Sequence, residues 1–162
     1  IPTVDETLEI PQLVFPAPAN TGFQRVAYFP SYRSPAASAI GDATLNSLTV
    51  ACYAIAPISS NYPVTLEQPE RAKTLIQRCH AKGLKVVLSF NGTSATFKSM
   101  VSTRASRKIF IDSVMKLVDT YGFDGVDNDC EYPSAGDASA QGNMYLMKEQ
   151  SQLLQRNIQK AL

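Results

Sequence analysis

Short, almost continuously apolar segments recur along this 162-residue chain, at residues 25–29, 47–56 and 85–90. Runs of this length and character predict parallel β-strands that are covered on both faces. A fourth strand is predicted at residues 125–131, where acidic residues occupy alternate positions. The gaps between these four segments leave room for a helix after each strand.

Amphipathic patterns with helical spacing fill those gaps. They predict helices at residues 70–82, 107–121 and 141–162, and a shorter helix within the Ala-rich segment 34–45. Repeated strand–helix units form parallel sheets with right-handed crossovers. The sequence therefore predicts an α/β fold built from parallel (β/α) units of a TIM-type barrel, with about four of the eight units present.

Residues 1–22 have no such periodic pattern and contain four prolines. Proline removes a backbone donor and breaks helices and central strands. We therefore expect an extended Pro-rich arm or linker at residues 1–22 and the folded domain at residues 23–162.

Composition and charge are those of an ordinary globular domain, with a formal net charge of +1, 44% apolar residues and 18% charged residues. This balance gives no reason to expect nucleic acid or an anionic membrane as a partner. No apolar run approaches the roughly 18–20 residues that span a bilayer. Cys52, Cys79 and Cys130 lack CxxC spacing and histidine partners, so they support neither a metal site nor a redox motif. We expect free buried thiols.

Asp127, Asp129 and Glu131 stand at alternate positions near the end of the fourth predicted strand. In a strand such positions share one face, with neighbouring Cα atoms roughly 6–7 Å apart. Grouped carboxylates are costly because like charges disfavour joint ionisation. We therefore interpret the row as a catalytic site. The alternative is a set of solvated acids in a loop, since Asp-Gly and Asn-Asp are also turn signals.

Three segments of the chain resemble motifs of one enzyme family. Residues 124–131 read DGVDNDCE and fit DxxDxDxE, the signature of glycoside hydrolase family 18, which contains chitinases and endo-β-N-acetylglucosaminidases. Residues 26–30 (VAYFP) resemble the family's first barrel strand, and residues 88–92 (LSFNG) resemble its SxGG third strand. The resemblance extends over about residues 23–160 and implies that residues 23–162 are the amino-terminal half of a (β/α)8 catalytic domain.

The resemblance also implies a role for each acidic residue of the motif. Glu131 would be the general acid that protonates the glycosidic oxygen, and Asp129 would orient the substrate's 2-acetamido group. The acetamido carbonyl oxygen would then attack the anomeric carbon in place of an enzyme carboxylate. Asp127 would share a proton or a hydrogen bond with Asp129. Asp124 and Gly125 would have structural, supporting roles.

Other polar and aromatic residues of the matched segments are assigned on the same basis. We interpret Ser89 as a supporting, hydrogen-bonding residue of the barrel interior and not as a nucleophile, because the one histidine, His80, lacks a triad context. Tyr28 and Tyr132 are predicted to bind substrate through their rings, although core packing is an equal alternative for Tyr28.

Charged residues outside the motif are expected to be ordinary surface groups. We predict that His80 is a surface residue of its helix. We interpret Arg104, Arg107 and Lys108 as a solvated helix start.

The chain departs from the family pattern at three positions. Cys130 stands where the family usually has Trp, Asn128 where it usually has an apolar residue, and Asn91 where SxGG has Gly. By the period-two rule Cys130 and Asn128 point away from the carboxylates, towards the helix layer. Burial of Asn128 there requires hydrogen-bond partners.

The resemblance implies a glycosidase that cleaves β-1,4 N-acetylglucosamine linkages in chitin, chito-oligosaccharides or N-glycan cores, with retention and without a metal or organic cofactor. The family's sixth-strand Tyr and eighth-strand Trp have no counterpart here, and the chain contains no Trp. We therefore expect the missing barrel half in the same gene product or by self-association. Two alternatives are a catalytically impaired carbohydrate-binding protein, which the presence of Glu131 disfavours, and an inactive barrel fragment. A secreted location is implied: extracellular, periplasmic or cell-surface.

Overall fold

The computed structural model describes residues 22–33 and 39–160, without the side chains of residues 157–160. The predicted arm at residues 1–22 therefore lies outside the described residues except for Gly22. The first part of the helix predicted at 34–45 also lies outside them.

Within this part of the chain, strands and helices alternate as the periodicity predicts, with one additional helix. The elements are β1 (Val26–Pro30), α1 (Asp42–Asn46), β2 (Val50–Pro57), α2 (Pro69–His80), β3 (Lys85–Asn91), α3 (Ser94–Ser102), α4 (Arg104–Tyr121), β4 (Gly125–Asn128) and α5 (Ser139–Lys160). The predicted strands and the three long helices are confirmed to within a few residues. The exceptions are α3, which was not predicted, and β4, which ends earlier than expected.

The four strands form one parallel sheet in the order β1-β2-β3-β4. Each strand pairs with the next one along the chain, and the register aligns Ala54 with Ser89 and Ser89 with Asp127. A parallel pair requires a crossover connection, which the helices provide. The sheet confirms the predicted α/β class.

The hydrophobic core lies between the sheet and the helices on one of its faces. Strand residues Tyr53, Leu88 and Phe90 are buried there together with helix residues such as Leu75 and Phe110. The rings of Phe90 and Phe110 meet edge to face, with centroids 4.8 Å apart. This contact fixes the middle of the sheet against α4.

The opposite face of the sheet is less apolar than predicted, since the apolar runs suggested that both faces would be covered. It carries Tyr28, Cys52, Ser89 and Asp127, of which Cys52 and Ser89 are buried while Tyr28 is 53% exposed. Small and polar side chains on this face leave it open for chemistry instead of packing. The predicted strands are thus correct, whereas the described residues cover this second face only in part.

Arg107 corrects the interpretation of the basic segment as a solvated helix start. Its side chain is fully buried and forms a two-armed ion pair with Glu149 of α5, through Nε at 3.0 Å and Nη2 at 3.2 Å. Nη1 also donates to the carbonyl oxygen of Val101 at 3.1 Å. The interpretation was wrong because α5 covers the beginning of α4. Lys108, one position further, is exposed as predicted.

The three cysteines are free and buried, as predicted. Among the described residues, no group of three or more His, Cys, Asp or Glu side chains is arranged to hold a metal ion. None of the helices in this part of the chain has both the length and the hydropathy needed to cross a membrane.

Candidate active site

The motif carboxylates lie where β4 ends beside β3. Asp127 is paired with Ser89 in the sheet, and the backbone N–H of Asp129 still donates to the carbonyl oxygen of Phe90 at 3.1 Å. Glu131 lies beyond this contact, in the loop that follows, and is exposed. The prediction that all three acids occupy one strand is therefore correct for Asp127 and wrong for the other two: β4 ends at Asn128, Asp129 follows it while still bonded to β3, and Glu131 lies in the loop.

The side chain of Asn128 explains why the strand stops early. Its Oδ1 accepts a hydrogen bond from the backbone N–H of Cys130 at 3.1 Å. This contact from residue i to residue i+2 is an Asx turn, which offers the backbone an alternative to the β-ladder. The turn brings Glu131 to the carboxyl end of the sheet, the edge at which active sites of this architecture form.

Asp127 is held by two hydroxyl donors from neighbouring strands. Its Oδ2 accepts from the phenol of Tyr28 at 2.9 Å and from Oγ of Ser89 at 2.8 Å. The hydrogen bond to Asp127, together with burial and carboxylate charge, raises the pKa of Tyr28, so the phenol remains a donor at neutral pH. Ser89 is thus in contact with an acid of the motif, as its interpretation as a hydrogen-bonding residue requires.

Asp129 lies in a different environment. Burial, followed by the negative charges of Glu131 and Asp127, raises the pKa of this carboxyl, against the opposing hydrogen bond from Asn91. The Asn91 Nδ2 donor is 3.4 Å from Asp129 Oδ2. Because Asp127 and Asp129 have separate donors, the proton predicted to be shared between them stays a prediction.

Tyr132 follows the acid directly and is 72% exposed. The charge of Glu131, and then a hydrogen bond to its carboxylate, raise the pKa of the Tyr132 phenol. Tyr28 is likewise exposed within the described part of the chain, at 53%. Both rings are therefore accessible, and each contacts an acid of the motif: Tyr28 contacts Asp127 and Tyr132 contacts Glu131.

Asp124 lies at the opposite, amino-terminal end of β4, away from the other acids. Its Oδ2 accepts from the backbone N–H of Val86 at 2.8 Å and lies 2.8 Å from His80 Nε2. Lys85 Nζ is 3.5 Å from Oδ1. Burial alone would raise the pKa of Asp124, but the Val86 N–H, His80 and Lys85 outweigh it and hold the pKa below its usual range. This arrangement ties β4 to β3 and α2.

Gly125, the next residue, pairs with Val87 in the sheet. A methyl group at this position would lie 3.5 Å from Val87 Cγ1, an ordinary van der Waals contact. The described geometry therefore gives Gly125 a place in the ladder but no strict steric requirement for glycine.

Sequence reasoning missed three polar partners near the motif. His80 is exposed, as predicted, but it contacts Asp124; Asn91 contacts Asp129; and Asn143 of α5 accepts from Asn128 Nδ2 at 2.7 Å. Each partner is distant along the chain, so no local pattern reveals it. Only the expectation that Asn128 requires hydrogen-bond partners indicated that such a contact exists.

The directions predicted for the two unusual motif residues are confirmed. Asn128 faces α5 through Asn143, and Cys130 is 9% exposed within the core. Burial, followed by the charge of Asp129, raises the pKa of the Cys130 thiol to about 12. The thiol is therefore neutral at physiological pH and fills space instead of reacting.

Comparisons with known proteins agree with this geometry. Residues 24–161 match the family model described as Glycosyl hydrolases family 18. A probable endochitinase of Caenorhabditis elegans is 56% identical over 54 residues, which are 32% of this chain and 9% of that protein. A class V chitinase of Medicago truncatula is 31% identical over 114 residues, which are 67% of this chain and 30% of the relative.

Solved structures show the same fold. A chitinase-like agglutinin from Robinia pseudoacacia has a TM-score of 0.73 at 26% identity, with 84% of this chain and 43% of the agglutinin covered. A Cycas revoluta family 18 chitinase in complex with (GlcNAc)3 has a TM-score of 0.73 at 21% identity, with 86% and 43% covered. The chain thus spans less than half the length of these relatives, in line with about four (β/α) units of a larger barrel.

Proposed function

Because the chain belongs to glycosyl hydrolase family 18, we propose that the protein is a glycosidase of β-1,4-linked N-acetylglucosamine. Its substrates would be chitin, chito-oligosaccharides or N-glycan cores. The observation that carries this proposal is the row of Asp127, Asp129 and Glu131 at the carboxyl end of a parallel sheet, with Asp127 held by two hydroxyl donors.

In this proposal Glu131 is the general acid. It is exposed in the loop after β4, so a glycosidic oxygen can approach its carboxyl group directly. Protonation of that oxygen makes the departing sugar a better leaving group. The acetamido oxygen of the substrate attacks the anomeric carbon, and water then opens the ring intermediate with overall retention.

Asp129 orients the acetamido group by accepting a hydrogen bond from its N–H. The raised pKa of Asp129 suits this role. The carboxyl group gains a hydrogen-bond donor when the substrate binds, and a positive charge develops beside it when the acetamido oxygen attacks. Asp127, fixed by the hydroxyl groups of Tyr28 and Ser89, shares a proton or a hydrogen bond with Asp129 in this proposal. No metal or organic cofactor takes part in these steps.

Exposed aromatic rings suit the sugar-binding part of the reaction. The rings of Tyr28 and Tyr132 are 53% and 72% exposed. Aromatic rings combine an apolar face with a polar hydroxyl group, which suits the apolar faces and hydroxyl edges of pyranose rings. We assign both tyrosines to substrate binding, with Tyr28 also serving as a donor to Asp127.

Carbohydrate binding without turnover is the second candidate function. The agglutinin with a TM-score of 0.73 and a chitinase-like effector of Moniliophthora roreri, 29% identical over 122 residues, favour it. The exposed Glu131 favours the hydrolase, since binding alone requires no acid at that position.

The remaining part of the sugar pocket would come from outside the described four strands. We propose that it is provided by the same gene product or by association of two copies. Since polymeric chitin and glycan substrates occur outside the cytoplasm, we also propose a secreted protein, either extracellular, periplasmic or at the cell surface.

Hydrolysis of a chromogenic chitobioside tests the proposal. The full gene product and the chain described above would each be assayed as wild type and as Glu131→Gln. We expect the wild-type gene product to be active and Glu131→Gln to lose about 10²–10⁴-fold in kcat, the typical contribution of a general acid.

The matched control is Glu70→Gln, which removes a carboxylate that is 82% exposed and that pairs with Lys73 on α2. It should retain full activity. Equal rates for wild type and Glu131→Gln would contradict the hydrolase. Absence of turnover combined with retained binding of chito-oligosaccharides would favour the binding protein, and activity of the longer product alone would identify this chain as an incomplete catalytic unit.

A further inference from the structure

The side chain of Asn128 joins three parts of the molecule through one planar amide. Its Nδ2 donates to Oδ1 of Asn143 on α5 at 2.7 Å and lies 3.5 Å from the Met147 sulfur. Its Oδ1 accepts from the backbone N–H of Cys130 at 3.1 Å. Donor and acceptor are thus both used, one towards the helix and one towards the loop that carries Glu131.

Two residues at the beginning of this loop, Asp129 and Cys130, are held in place by different contacts. The Asp129 N–H donates to Phe90 of β3, and the Cys130 side chain is buried in the core. Between them, the Asn128 amide accepts a hydrogen bond from the backbone N–H of Cys130 and so constrains the direction of the chain. Together these contacts constrain the position of the backbone just before Glu131.

After Glu131 the next backbone anchor is several residues away. The Ser134 N–H donates to Oγ of Ser139 at 2.8 Å, at the beginning of α5. Glu131 itself is exposed and its carboxylate contacts the exposed Tyr132. Among the described residues, packing therefore does not hold the side chain of Glu131 in place, and within this part of the chain the position of the acid depends on the backbone at Cys130.

We propose that Asn128 is a positioning residue for Glu131, coupling α5 to the turn that presents the acid. The role of the acid rests on the proposed glycosidase function, whereas the coupling itself concerns the geometry of residues 128–131. A displacement of about 1 Å at a reacting group can cost about a hundredfold in rate, so the coupling has a measurable consequence.

The chemistry of the amide predicts which substitutions preserve the role. Asn128→Leu keeps approximate size but provides neither an acceptor for Cys130 nor a donor for Asn143. Asn128→Asp keeps the acceptor, and the Asn143 amide can rotate to donate to the second carboxylate oxygen. Asn143→Leu removes the helix arm alone and leaves the turn to Cys130 intact.

The experiment compares these three variants in the full gene product, with kcat and KM on a chito-oligosaccharide measured at each variant's own pH optimum. We expect Asn128→Leu to lower kcat by about tenfold to a hundredfold with KM changed by less than about threefold, the pattern of lost positioning. Asn128→Asp should keep kcat within about threefold, and Asn143→Leu should fall between the two. Asn46→Leu, at an exposed position of α1, is the matched control and should equal wild type.

A second readout does not depend on activity. Amide hydrogen exchange at Cys130, followed by NMR, should accelerate by about tenfold or more in Asn128→Leu and stay near wild type in Asn128→Asp, because only the first loses the acceptor. Carbon-detected NMR spectra of the same variants should show a displaced Glu131 carboxyl resonance in Asn128→Leu alone.

The outcomes separate the two claims. An inactive wild-type protein that shows the predicted exchange pattern would refute the glycosidase function. It would still support Asn128 as the residue that positions Glu131. Unchanged exchange at Cys130, an unmoved Glu131 resonance or full kcat in Asn128→Leu would overturn the positioning role. Equal damage from Asn128→Asp and Asn128→Leu would overturn it as well, because the acceptor would then not matter.

Discussion

Arg107 and Glu149 form a completely buried, two-armed ion pair that joins the beginning of α4 to α5, with N–O distances of 3.0 and 3.2 Å. The guanidinium also lies 5.3 Å from the centroid of the Tyr145 ring. Arg107 therefore has a carboxylate, a carbonyl group and an aromatic ring around it. This contact joins α5 to the beginning of α4, and α5 carries the Asn143 partner of the motif.

Breaking this pair from one side should destabilise the fold strongly. Glu149→Leu leaves the Arg107 charge buried without its partner, which costs about 3–5 kcal/mol in the free energy of unfolding. Urea unfolding followed by circular dichroism measures it. The double variant Arg107→Met/Glu149→Leu should recover most of the loss because no buried charge remains. Lys108→Met, which removes an exposed pair with Asp112, is the control, and a double variant as unstable as Glu149→Leu would contradict the explanation.

Replacement of Gly142 should destabilise the protein, because α5 approaches α3 closely at this residue. A methyl group at this position of α5 would lie 2.5 Å from the carbonyl oxygen of Val101, at the end of α3. Although Ala favours helices by about 1 kcal/mol over Gly, we expect Gly142→Ala to lower the free energy of unfolding by about 1–3 kcal/mol through overpacking. Gly136→Ala, whose methyl group meets only Ser134 Oγ at 3.6 Å, should be nearly neutral. A Gly142→Ala protein as stable as wild type would show that α3 and α5 can separate freely.

The Asp124 contacts predict acid sensitivity. Its lowered pKa means that the folded state favours the carboxylate, so its stabilisation is present above the unfolded pKa of about 3.9 and is lost as the pH falls through the lower folded pKa. Asp124→Asn should lower the free energy of unfolding at pH 7 by about 1.5–3 kcal/mol, the range for hydrogen bonds to charged groups. The difference from wild type should shrink below about pH 4. Thermal melts from pH 7 to pH 2 test this, with the exposed Asp112→Asn as control; a constant difference would refute it.

Asn91 should moderate the proton affinity of Asp129. Its amide donates to the carboxylate and opposes the burial and negative charges that raise the pKa of Asp129. Asn91→Ala should therefore raise that pKa further, which a carbon-detected NMR titration of the Asp129 carboxyl group can measure. Asn61→Ala, at an exposed turn, should have no effect. An Asp129 pKa that stays constant or falls in Asn91→Ala would show that the 3.4 Å contact has no electrostatic importance.

Local features of the chain predicted most of the fold correctly. The apolar runs of β1 to β3 and the helical periodicity of α2, α4 and α5 depend on near neighbours, and the structure reproduces them. The helix α3 was missed because its start depends on a cap: Thr93 Oγ1 accepts from the Thr96 N–H at 3.2 Å. Capping residues also occur in ordinary turns, and the apolar stripe of this helix, Phe97, Met100 and Val101, spans only about one turn.

Charged and polar residues were predicted less well, because their structural role depends on which other elements of the fold cover them. The sequence shows Arg107 among other basic residues, and only the packing of α5 makes it a core residue. His80 was correctly placed on a helix surface, but its contact with Asp124 joins residues 44 positions apart. No spacing rule connects such partners, since the approach is made by the tertiary fold.

By itself, the sequence determined the order of strands and helices, the motif that carries the acids, and the family to which the chain belongs. Those properties follow from local periodicity and from residue identity at fixed spacing. Only the tertiary structure decided that β4 ends at Asn128, that Glu131 projects from a loop, and that Asp127 has donors on two other strands. These results require parts of the chain that are distant in sequence to meet, and burial and hydrogen bonding between such parts become definite only when the sheet and helices pack together.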